Sequence, residues 1–309
     1  MKKRILAMLL AAMMLMSATA CSGREKPVED EPEAPVEQPE TPAEPEKPAE
    51  PEAPVEEEVK VEIPEQGEKI KEWVAINDDV IGWLHIPDTT INAPVVQYTD
   101  NDYYYRRNEK GEYKAYSTGC YWADYECKFG PKGEDMFPST VIYGHNVDYG
   151  GTGVNLYSDN VGTSAPDEAT GDRFSQLFHY TDMEWAKAHP YIYFSTPEED
   201  MLWEVFAVGY TNDFSYITIL KDRKVSKTEP ITAGQMVNIA NAEREYSLYD
   251  YNDVEVEGDD KILTLSTCTY KYGTRHDLRF IVMARLVTEE DTLVETANIT
   301  ENTDVKKVG

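Results

Sequence analysis

The chain alternates between apolar and polar positions only over part of its length, from about Glu68 to Thr288. Ile70, Trp73, Val74, Ile76 and Val80 are spaced to bury one side of a short helix. Strand-like segments follow, punctuated by Gly82, Pro87 and Pro94, with the apolar pair Val95-Val96 after the last of them. Val141-Ile142-Tyr143 reads as a short strand that ends at Gly144. Asp172 to Ala188 has helical spacing and is stopped by Pro190. Tyr191 to Phe194 and Leu202 to Tyr210 alternate like paired strands across a Thr-Pro-Glu-Glu-Asp turn, and Ile231 to Tyr246 reads as a helix set between strands. Lys261 to Leu286 reads as strand, polar loop, strand. The tyrosines between Tyr98 and Tyr116 are expected to stack on a sheet face rather than to line a cleft. From Thr288 the chain is acidic and polar, and a frayed tail is expected. No internal repeat is visible.

The first 66 residues have a different character. Lys2, Lys3 and Arg4 precede the apolar run Ile5 to Met16, and the small residues Ser17 to Ala20 precede Cys21. This is the layout of an export signal, and its apolar part is shorter than the roughly 20 residues needed to span a bilayer. Small residues before a cysteine followed by Ser22-Gly23 resemble a bacterial lipobox, which implies cleavage before Cys21 and lipidation of its thiol. Ordinary cleavage and an uncleaved anchor are the alternatives. All three place the chain outside the cytoplasm. Residues 22–66 are dominated by Pro and Glu, with 16 acidic against 3 basic residues between Glu25 and Glu65. Such a segment cannot bury a core, and its charge and prolines keep it solvated and extended. Over all 309 residues, 58 acidic residues face 29 basic ones. That excess repels polyanions, so neither nucleic acid nor an anionic membrane surface is an expected direct partner.

The candidate chemistry is concentrated in the strand-loop-strand of Lys261–Leu286. Cys268 ends its first strand and Arg279 begins its second. Neighbouring strands run about 5 Å apart, so facing ends place a thiol and a guanidinium within reach of one substrate atom. A permanent cation beside a thiol is the setting in which cysteine becomes a nucleophile. Taken alone, the pair also fits a buried small residue and a strand-end solubilising charge. His145 follows the strand Val141–Tyr143 and opens a glycine-rich loop, a place suited to proton transfer. His276 competes with it, lying between Cys268 and Arg279, and Arg275 competes with Arg279. His85, His179 and His189 fall inside strand or helix patterns and read as structural or surface groups. The glycines after His145 carry no phosphate-loop signature, no Cys/His cluster has zinc spacing, and no cofactor is implied. Cys120 and Cys127 either form a disulfide or remain two thiols. A bridge over so short a loop requires the chain to double back tightly, which favours the thiols.

These segments together resemble one family. Thr264-Leu265-Ser266-Thr267-Cys268, followed eleven residues later by an arginine that opens an apolar strand, is similar to the catalytic end of a sortase. The block INDDVIGWLHIPDTTINAPVVQ, then DNDYYYRRN, then STVIYGHN, resembles class B sortases in particular. The likeness runs over residues 68–288. It divides the chain into a signal or anchor (1–21), a Pro/Glu-rich linker (22–66), a catalytic domain (67–288) and a tail (289–309). It implies a mostly β fold, an eight-stranded barrel with an N-terminal helix and inserted helices. It implies a site of Cys268 as nucleophile, His145 as general acid–base and Arg279 as oxyanion or substrate stabiliser, with Ser266 and Thr267 shaping it. His145 then outranks His276, because it occupies the Tyr-Gly-His position. Two features depart from the usual family pattern: the long glycine-rich loop after His145 and the lipobox-like N-terminus.

The resemblance also implies transpeptidation. A secreted protein with a C-terminal sorting signal of Asn-Pro-X-Thr-Gly/Asn type would be cut after Thr, and the acyl group joined to a peptidoglycan amine. Two other readings use the same residues: a secreted cysteine peptidase or amidase, and a lipoprotein binding module with a retired site. No papain-type Cys-Gly-Ser-Cys-Trp signature is present, which weighs against the first. The joint presence of Cys268, His145 and Arg279 weighs against the second. No lid-like segment precedes the domain to suggest a pilus-polymerising enzyme.

Overall fold

A computed structural model of the chain describes residues 59–113, 119–147, 167–212, 232–269, 271–272 and 277–308. The export signal with Cys21, most of the Pro/Glu-rich segment, the glycine-rich loop after His145, and Arg275 and His276 lie outside the described residues. Among the described residues, no helix is long and apolar enough to cross a membrane.

Helix α1 (Gly67–Val74) comes first, and it buries Ile70. Strands β1 (Val80–His85) and β2 (Asn92–Val96) pair antiparallel. A 3-10 helix, Tyr103–Arg106, leads toward β3 (Tyr121–Ala123), which pairs parallel to β2. Then come β4 (Ser139–Tyr143) and two short strands, β5 (Asn146–Val147) and β6 (Asp172–Arg173), which pair with each other.

The stretch Asp172–Ala188, expected as one helix, is built in three pieces. After β6 there is a 3-10 helix, Phe174–Thr181, and then α2 (Met183–Ala188). The break falls at Asp182, whose extended backbone and side-chain bonds to the N–H groups of Glu184 and Trp185 start a new helix. The remaining elements are β7 (Tyr191–Ser195), β8 (Asp200–Asn212), α3 (Ala233–Arg244), β9 (Tyr249–Tyr251), β10 (Ile262–Cys268), β11 (Leu278–Leu286) and β12 (Ile299–Glu301). A capping box of Thr232 and Gln235 opens α3.

Eight strands close a barrel in the order β1-β2-β3-β4-β10-β11-β8-β7. Closure removes every exposed edge. The interior is filled by Leu84, Val95, Phe174, Phe194, Trp203, Phe206, Leu263, Leu265 and Phe280, all fully buried or nearly so. Strand β8 is buried along both faces from Met201 to Thr211. One reason is a close backbone crossing at Gly209, where a Cβ would lie 2.1 Å from the Tyr246 carbonyl oxygen. A second apolar cluster forms from Ile70, Val80, Trp83, Val96, Tyr104, Cys120 and Trp122.

Tyr116 lies outside the described residues, and the first tyrosines of that segment do not lie on a sheet face. Tyr98, Tyr103 and Tyr104 pack on one another around the first 3-10 helix, with Tyr98 and Tyr103 stacked at 4.1 Å. The segment after Leu286, expected to fray, instead carries β12, paired with β9, and buries Ala297 and Ile299. Most of its acidic residues stay outward, Asp291 pairs with Arg285, and these two apolar residues dock, a pattern too sparse to read along the chain. Cys120 and Cys127 are buried and not joined by a disulfide. Their sulfurs point at separate carbonyls, Tyr104 at 4.0 Å and Ser139 at 3.8 Å.

Candidate active site

Two adjacent barrel strands carry Cys268 and Arg279, and His145 lies just past the end of β4, on the other side of β10. Cys268 is the last residue of β10 and Arg279 the second of β11, and they are direct cross-strand partners. Directly opposed residues share a face, with Cβ atoms about 5 Å apart. Every residue of β10 before Cys268 is buried, and Cys268 itself is exposed. The thiol therefore sits where the barrel wall opens to solvent. Arg279 is half-buried, donates from Nη1 to the Leu278 carbonyl at 2.9 Å, and is opposed on its other side by Thr211 of β8.

On the other flank β4 runs parallel to β10, with Tyr143 beside Ser266. The chain continues in that register past the end of the strand. Gly144 N donates to the Ser266 carbonyl at 3.2 Å, and Thr267 Oγ1 donates to the Gly144 carbonyl at 2.8 Å. Asn146 Nδ2 donates to the Cys268 carbonyl at 3.1 Å. Both sequence neighbours of His145 are thus bonded to the end of β10, which places His145 beside Cys268. Cys268 thus has the chain that bears His145 on one side and the strand that bears Arg279 on the other. Thr267 holds β4 and β10 together through its hydroxyl, and Ser266 is buried beneath.

The His145 ring is oriented by residues that sequence pattern did not single out. Nε2 donates to the Tyr105 carbonyl at 2.7 Å. A carbonyl only accepts, so the neutral ring carries its proton on Nε2 and leaves Nδ1 as an acceptor. The Tyr105 and Trp122 rings pack against it at 4.9 and 5.2 Å. Gly119 lies on the remaining side at φ +73, and a Cβ there would come within 2.7 Å of the imidazole Cδ2. Only glycine combines that backbone with that contact. Desolvation by these neighbours lowers the His145 pKa, and the Arg173 and Arg106 cations lower it further, against the opposing effect of the Tyr105 carbonyl. The balance of these effects favours the neutral ring.

The other histidines among the described residues serve elsewhere. His85 Nδ1 meets the Ile91 carbonyl at 3.2 Å, His179 stacks on Trp185, and His189 lies between the Trp185 carbonyl and Asp88. Among the described residues no cluster of His, Cys, Asp or Glu is arranged to hold a metal. Tyr105 and Gly119 could not have been picked out by pattern, because one acts through its backbone and the other through a missing side chain. Asn146 had a signal, its place directly after the histidine.

No protein-family profile matches the chain. Sortase B of Listeria monocytogenes is 30% identical over 230 residues, which cover 73% of this chain and 76% of that protein. Among solved structures, Clostridium perfringens sortase B superposes with a TM-score of 0.53 at 23% identity, covering 71% of this chain and 99% of that one. A Staphylococcus aureus sortase B–substrate complex superposes with a TM-score of 0.52 at 22% identity, covering 72% and 86%.

Proposed function

Since the chain belongs to the sortase B family, and is thereby a cysteine transpeptidase, we propose that Cys268, His145 and Arg279 carry out its reaction on a secreted protein bearing a C-terminal sorting signal. The observation that carries this reading is the order of strands: β4, β10 and β11 lie side by side, with the one exposed cysteine of the described residues on the middle strand. The sorting signal is of Asn-Pro-X-Thr-Gly/Asn type and is cut after Thr. The Cys268 sulfur attacks the Thr carbonyl carbon, and its proton passes to His145 Nδ1. Negative charge develops on the carbonyl oxygen, where the Arg279 guanidinium offers fixed donors and a charge that does not titrate. The carbon–nitrogen bond breaks as Nδ1 returns the proton to the departing amine, leaving a thioester on Cys268. An incoming amine, that of a peptidoglycan cross-bridge or stem peptide, gives a proton to Nδ1 and attacks the thioester. The sulfur leaves and the thiol is restored. No cofactor is needed in this sequence of steps. The protein acts at the outer face of the cytoplasmic membrane, held there by lipid on Cys21 or by an uncleaved N-terminal anchor, with the acidic linker holding the barrel away from the surface.

A fluorogenic sorting peptide tests this reading. The full chain should cleave it, and Cys268→Ala should abolish cleavage. Arg279→Ala should lower kcat by about 10²–10³, the usual loss when one oxyanion donor is removed. An added amine should appear in a ligated product. Hydrolysis with no ligation identifies a peptidase instead, and full activity in Cys268→Ala removes the nucleophile from this account.

A further inference from the structure

The residues behind Cys268 form a polar network that this reaction has not used. Asn146, 3% exposed, spends both amide hydrogens at once: one on the Cys268 carbonyl and one on Asp167 Oδ1, each at 3.1 Å. Its own oxygen accepts from the buried Ser175 hydroxyl at 2.8 Å. With three of its four hydrogen bonds made inside the protein, the amide has one orientation. Asp167 continues the network. Its Oδ2 accepts from the Thr269 hydroxyl and from Lys271 N, the latter at 3.1 Å. Asp167 therefore grips the chain just after Cys268, while Asn146 grips the carbonyl of Cys268 itself. Asn146 also directly follows His145 in the chain.

We infer that Asn146 and Asp167 are positioning residues, a clamp that fixes the backbone of Cys268 relative to His145. The inference rests on the roles given to those two residues above. The physical need is plain. Cys268 is the last paired residue of β10, and His145 lies between the ends of β4 and β5. The placement of one against the other therefore rests on the bonds between these two stretches, and a misplacement of about 1 Å can cost 10² in rate. A carboxylate with two oxygens and an amide with two hydrogens span the gap between them. Neither touches substrate in this role. Both act through the sulfur and the imidazole.

The test uses the full chain, the fluorogenic sorting peptide and iodoacetamide, with adducts at Cys268, Cys120 and Cys127 quantified by peptide mapping. Asn146→Ala and Asp167→Ala should each lower kcat roughly 10- to 100-fold and leave KM within about twofold. The double variant should be no slower than the slower single variant, because the two act as one unit. Of these three thiols only Cys268 should be alkylated, at a near-normal rate, since the two buried thiols label only if the barrel opens. Asp167→Asn keeps an acceptor for Thr269 and Lys271 and should lose less than Asp167→Ala. It and Asn146→Ala decide the matter if Asp167→Ala labels at Cys120. Normal kcat in the variants, additive losses in the double variant, or losses that come only with labelling of the buried thiols overturn the clamp. If Cys268→Ala stays active in the same assay, the assignment of the nucleophile falls and the clamp with it.

Discussion

His145 is the residue whose surroundings most constrain how the site works. Packed rings and two nearby guanidinium groups disfavour its charged form, and one backbone carbonyl holds its Nε2 proton. In the reaction proposed above, the neutral ring enters as a base first and becomes an acid only after taking the thiol proton. Protonating it in the resting enzyme blocks that first step. The acid limb of kcat/KM should therefore lie below the ordinary imidazole pKa of about 6.5; a limb above it would show that another group controls activity. Stability follows the same sign. Because the folded pKa is the lower one, the unfolded chain binds more protons below about pH 6.5. The contribution is fully present above that value and is lost as pH falls through the folded pKa. His145→Gln should flatten this part of the stability profile.

At the scale of elements, the 3-10 helix Tyr103–Arg106 matters more than its length suggests. It delivers the Tyr105 carbonyl to His145, and it is held in place by Tyr104. The buried Tyr104 hydroxyl donates to Asp79 Oδ2 and accepts from Asn77 Nδ2, both at 2.7 Å, tying the helix to the start of β1. Tyr104→Phe removes the hydroxyl from both partners. We expect it to cost about 1–3 kcal/mol in chemical denaturation. It should also lower kcat severalfold, because the carbonyl that orients His145 loses its mooring; unchanged kcat at full folding would separate helix from site. The sequence announced the tyrosines but not this arrangement. Their spacing matches neither a helix nor a strand, and a 3-10 turn is too short to impose a period of its own. Likewise Asp182 had no visible role inside an apparently continuous helical pattern, although its capping bonds divide that pattern in two.

For the molecule as a whole, chain that looked dispensable packs against the barrel and its helices. The segment after Leu286 runs back along the body, where Val294 N bonds the Tyr191 hydroxyl, Ala297 N bonds the Lys187 carbonyl and β12 pairs with β9. Further on, Lys306 N bonds the Glu245 carbonyl just past α3. Truncation after Val294 removes the buried Ile299 side chain and the β9–β12 ladder. It should destabilise by at least about 2 kcal/mol, the burial of one such side chain, and lower Tm. Below both melting transitions kcat should stay within about twofold, since these contacts involve none of the residues around Cys268.

What the sequence determined by itself was local. Alternation marked the strands, the Thr-Leu-Ser-Thr-Cys strand end marked the thiol, and the Tyr-Gly-His and Arg-Phe-Ile junctions marked its partners, because strand periodicity and strand ends are properties of a few consecutive residues. Tertiary structure decided which strands lie side by side, and so which flank of Cys268 each partner occupies. It also decided the Tyr105 carbonyl, the Gly119 contact, the Asn146–Asp167 network and the docking of residues 294–301. These depend on a parallel pairing between β4 and β10 and on single hydrogen bonds between distant stretches of chain, neither of which leaves a period in the sequence.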